Sequence, residues 1–105
     1  MHPQRLLIEK VKNVIQDWAR QYPQVELALL EVYPSGIADH IHVMVVASKG
    51  FENWESTERE DDLYWFLRKR LGDADIVKIF KLLTLTEEEY NEYDVVYEDQ
   101  ALGLK

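Results

Sequence analysis

The amino-acid sequence predicts an α+β domain, a three-stranded sheet with two main helices on one face, in the order α-β-β-α-β-α. Three observations lead to that class. Apolar residues recur every three or four positions from Leu7 to Tyr22 and again from Leu63 to Leu71, the period of a helix. The runs Val25–Tyr33 and His40–Ala47 alternate around a Pro34-Ser35-Gly36 turn signal, as the strands of a hairpin do. A third run of β-branched and apolar residues, Ile76–Leu85, follows the second helix, and the three strands are expected to be antiparallel.

Each element has its own signals. The first helix is expected over Pro3–Gln21, with Val11, Ile15 and Trp18 on its apolar face, and Pro23 keeps it from running further. In the first strand Val25, Leu27 and Leu29 fall on one side and Glu26 and Ala28 on the other. In the second, Ile41, Val43 and Val45 share a face. Thr57-Glu58-Arg59-Glu60 has the spacing of a capping box, which starts a helix over Thr57–Leu71 that buries Leu63, Phe66, Leu67 and Leu71. Gly72 ends it, since glycine takes the left-handed conformation freely. Thr86-Glu87-Glu88-Glu89 is a second capping box and opens a short last helix. The expected core also takes in Leu27 and Ile79.

A chain of 105 residues has room for one core, so residues 1–105 are read as a single domain, with residues 98–105 as a fraying tail. Its 47% of hydrophobic residues is enough to fold without a metal or disulfide staple. There is no cysteine, which rules out disulfides, thiolate catalysis and a zinc–thiolate or self-supplied iron–sulfur site. That composition suits a reducing, cytoplasmic setting. No secretory leader and no membrane span is expected. The net charge of −8 repels phosphate backbones, so no nucleic-acid partner is expected, whereas a basic protein surface is easily accommodated.

Few residues carry chemistry. His40 and His42 stand two apart on a strand, on one face and about 7 Å apart by the strand rise. They form a candidate metal pair, with a third ligand to come from Glu26, Glu31 or Asp39; the plainer reading is two histidines on a solvated sheet face. Arg68-Lys69-Arg70 is the one basic run, suited either to the exposed carbonyls at a helix C-terminus or to an acidic partner. Trp54 and Trp65 are candidate partner anchors with Arg68 and Arg70, because exposed tryptophan and arginine are enriched at binding hot spots. No catalytic residue and no cofactor is assigned. Ser35 and Ser48 lack a nucleophile-elbow context, and the glycines are too scattered to cradle a phosphate.

Two resemblances accompany these residues. Asp39-His40-Ile41-His42-Val43 resembles the metal-binding strand of tyrosine-dependent single-strand nucleases, including small transposases, which would require Tyr64 or Tyr90 as nucleophile. The stretch Asp39 to Tyr90 resembles the BolA-like family, whose fold is KH-like. The strand Ile41–Ser48, Phe51, Glu58-Arg59, Tyr64 and Thr84-Leu85-Thr86-Glu87-Glu88-Glu89-Tyr90 carry that likeness, with Glu87 standing where the family has proline. The resemblance implies a helix-strand-strand-helix-strand-helix fold. It does not extend to the iron–sulfur cluster that the family shares with a glutaredoxin, because Lys78 stands in the place of the histidine ligand and an ammonium group has no lone pair to offer.

Taken together, the residues point to a non-enzymatic module that binds a protein partner or itself. A metal-dependent enzyme built on His40 and His42 is the first alternative. An acidic antitoxin-like or immunity-like protein, suggested by the acidic run Glu87 to Asp99, is the second.

Overall fold

The structure, a computed structural model, describes residues 3–92. Its elements are α1 (Pro3–Arg20), β1 (Glu26–Pro34), β2 (Ile41–Lys49), α2 (Ser56–Leu71), α3 (Asp73–Ile76) and β3 (Ile79–Thr86), and residues 87–92 are helical. The expected order is present, with α3 as an addition. The tail over residues 98–105 and the Val95-Val96-Tyr97 segment lie outside the described residues. No described helix is long and apolar enough to cross a membrane.

The strands lie in the order β1-β2-β3, with β1 antiparallel and β3 parallel to the central β2. Parallel pairing corrects the all-antiparallel sheet expected from sequence. The cause is the connection: α2 crosses from the end of β2 back to its start, and a strand reached by such a crossover enters in the same direction. The third strand also begins later than expected, because Ile76 is drawn into α3, where its N–H donates to the Gly72 carbonyl at 3.1 Å. Gly72 ends α2 at φ 87° and ψ 169° rather than in the left-handed helical region, a conformation open essentially to glycine alone.

One core lies between the sheet and the two main helices. Leu7, Val11, Val14, Ile15 and Trp18 of α1 and Leu63, Leu67 and Leu71 of α2 meet Ile41, Val43, Val45 and Ala47 of β2, with Phe51 closing one end. Leu27 and Ile79 pack at its margin, half-buried. The β1 alternation fails once. An irregularity in register between Leu27 and Leu29 places Leu30 and Val32 toward the core and leaves Leu29 opposite Val46 on the other side of the sheet. Gly50 turns the chain at φ 99° beneath the α1–β1 connection, so close that a Cβ there would lie 2.6 Å from the Gln24 carbonyl oxygen.

The α2 capping box does not form. The helix starts one residue earlier, at Ser56, with no side-chain cap, and the Glu60 carboxylate instead accepts from the Thr84 N–H at 3.3 Å. The second box does form: the Glu89 N–H donates to Thr86 Oγ1 at 3.0 Å and the Thr86 N–H to Glu89 Oε1 at 2.9 Å.

Candidate functional site

Helix α2 carries three stripes. The first, Arg59, Leu63, Leu67 and Leu71 at intervals of one helical turn, is buried. Its arginine, not among the site residues expected from sequence, is the most heavily bonded side chain described. Arg59 Nε donates to Thr84 Oγ1 (3.2 Å), Nη1 to the carbonyls of Phe51 (3.0 Å) and Trp54 (2.8 Å), and Nη2 to the Thr84 carbonyl (2.9 Å) and Glu89 Oε1 (2.8 Å). These satisfy all five guanidinium N–H groups. At 1% exposure the group would be costly to bury with any donor unmet, so Arg59 acts as a staple joining the 51–54 loop, β3 and the helical residues 87–92. The signal for it in the sequence was its place one turn ahead of Leu63 in an otherwise apolar stripe.

The second stripe, Asp62, Phe66 and Arg70, faces α1. Asp62 Oδ2 accepts from Trp18 Nε1 at 2.9 Å and from the Tyr22 hydroxyl. Burial and this hydrogen bond push the Tyr22 phenol up to about 12. Arg70 Nη2 donates to Asp17 Oδ2 at 2.8 Å while its guanidinium lies 5.6 Å from the Phe66 ring centre. That hydrogen bond lowers the Asp17 pKa. Arg70 is thus spent on holding α2 to α1 and does not join the other candidate anchors. Trp54 does not either. It is half-buried in an aromatic cluster, with Tyr22 edge-on at 4.8 Å and Trp18 and Phe51 beyond.

The third stripe faces solvent. Trp65 is 54% exposed, Tyr64 meets its ring edge-on at 5.7 Å, and the Arg68 guanidinium stands 5.2 Å from the ring centre. Arg68 Nε also donates to Asp73 Oδ1 at 3.3 Å, which fixes the guanidinium above the indole. Of the four anchors expected from sequence, Trp65 and Arg68 share one surface.

His42 lies on the sheet face opposite the helices, and His40 precedes β2. Both rings stack on Phe80, at 5.2 Å and 6.0 Å between centres. Among the described residues no group of three carboxylates and histidines could hold a metal ion, so the third ligand sought in Glu26, Glu31 or Asp39 is not brought to the pair. Tyr64 projects from α2 on the other side of the sheet from His42, so the nuclease arrangement of two histidines and that tyrosine is not assembled. Lys78, which the BolA-like resemblance would set at the family's histidine, pairs with Asp39 (3.4 Å) and Asp75 (3.8 Å). An ammonium held by two carboxylates does not fit an iron–sulfur cluster.

A cleft of about 320 Å³ opens beside Arg59, with Glu52, Trp54, Glu88 and Glu92 on its walls. Since the arginine donors are spent, the charged groups it offers are carboxylates, beside Trp54 and Thr86. Compared with known protein families, curated proteins and solved structures, the chain matches none.

Proposed function

We propose that this protein is a non-enzymatic interaction module of the cytoplasm that binds a protein partner through the outer face of α2. One observation carries the reading: a largely exposed tryptophan already held between an arginine and a tyrosine. Large aromatic and arginine side chains dominate binding energy when a partner desolvates them, and fixing them beforehand lowers the entropy lost on association. The inner face of α2 needs none of the three for stability. The helix-strand-strand-helix-strand-helix order agrees with a BolA-like fold and supports the same class of role without its cluster chemistry. The cysteine-free composition supports the cytoplasmic setting.

The test is capture of binding proteins from the native lysate with the wild-type chain and the Trp65→Ala variant in parallel. A partner retained by the first and lost by the second, with circular dichroism unchanged, is the expected result. The same set of proteins on both would overturn the proposal.

A further inference from the structure

The sheet has a second apolar face. Register places Leu29, Val46 and Leu85 in one row across the three strands and Met44 beside Leu83 in the next. A sheet with helices on one side ordinarily turns polar residues to the other. Here Val46 is 1% exposed and Met44 7%, although both stand apart from the cluster that α1 and α2 bury.

We propose that residues 93–105 of this same chain cover that face, in cis. The chain leaves β3 at Thr86, directly after Leu85 and so at the apolar end of the surface. Residues 87–92 are helical, and beyond them the sequence supplies Tyr93, Val95, Val96, Tyr97, Leu102 and Leu104. Extended, residues 93–105 reach roughly 40 Å at about 3.3 Å per residue. Crossing from β3 to β1 takes two strand spacings, about 10 Å. The cover is therefore within reach, begins where it is needed and has apolar side chains to bury. A second copy supplying the same residues would have to bring together two chains of net charge −8. The cis cover spends the apolar face within the chain and leaves the α2 surface for partners; it does not rest on the function proposed above.

Methyl NMR on the full chain tests this. The Met44 methyl, assigned with Met44→Leu, should show nuclear Overhauser contacts to the Val95 or Val96 methyls at every protein concentration. In the full-length Val95→Asp, Val96→Asp variant, whose substitutions lie outside the described residues, the Met44 resonance should shift and an apolar fluorescent dye should bind several-fold more strongly. Absence of the contacts in wild type would overturn the proposal. So would contacts that appear between differently labelled chains in a mixture, which would make the cover a second copy.

Discussion

Arg59 and Arg68 occupy the same helix and opposite circumstances. The first is buried, with every donor satisfied by groups from three separate segments. The second stands in solvent over an indole, with one carboxylate partner whose side chain is 85% exposed. Their chemistry is identical, so the difference in role comes from desolvation and from how many neighbours would be stranded by removal. A charge in low dielectric is expensive to leave unpaired, and one in water is not. Removing the inner arginine should therefore destabilise the fold, whereas removing the outer tryptophan and arginine should disarm it.

The largest effect is expected inside. Arg59→Met keeps the bulk and removes the donors, leaving the Glu89 carboxylate and three carbonyls short of partners. A stability loss of about 3–5 kcal/mol in denaturant unfolding is expected. Arg59→Lys should recover little of it, because one ammonium cannot reproduce the planar fork.

The α1-facing stripe should come next, and its effect depends on pH. Tyr22 has its pKa raised from 10 to about 12 by burial and by Asp62, so the folded state prefers the protonated phenol. Its contribution is complete below pH 10 and is lost as pH rises toward 12. Unfolding curves of wild type should lose stability across that window, and those of Tyr22→Phe should be flatter there. An equal alkaline loss in both would assign the effect elsewhere.

Smaller still is the Asp17–Arg70 pair, which is partly exposed and screened by salt. The lowered Asp17 pKa means its stabilisation is present above the ordinary carboxylate range and fades as acid protonates it. Arg70→Ala should therefore cost less at high salt than at low salt, measured by the unfolding midpoint.

Much of the fold was legible in the sequence, for a physical reason. Helical periodicity and alternation report which side chains meet the core, and α1 and α2, each buried on one side, lie close to their expected bounds, as does β2. What failed was local or three-dimensional. The β1 irregularity moved Leu29 to the second face, which alternation alone cannot foresee. The parallel entry of β3 follows from the crossover. Alternation in β2 accounted for Ile41, Val43 and Val45 but not for the burial of Met44 and Val46 on the second face. For the site, spacing placed Trp65 and Arg68 at a distance where helical neighbours meet, while Trp54 and Arg70 were claimed by partners distant in sequence.

The most direct measurement pairs binding with stability for Trp65→Ala. Once a partner is captured, the variant should bind it at least about 30-fold more weakly, the scale of a hot-spot residue, while its unfolding free energy stays within about 0.5 kcal/mol of wild type. Undiminished binding, or a stability loss as large as that of Arg59→Met, would contradict the division of α2 into an inner face that holds the fold and an outer face that meets a partner.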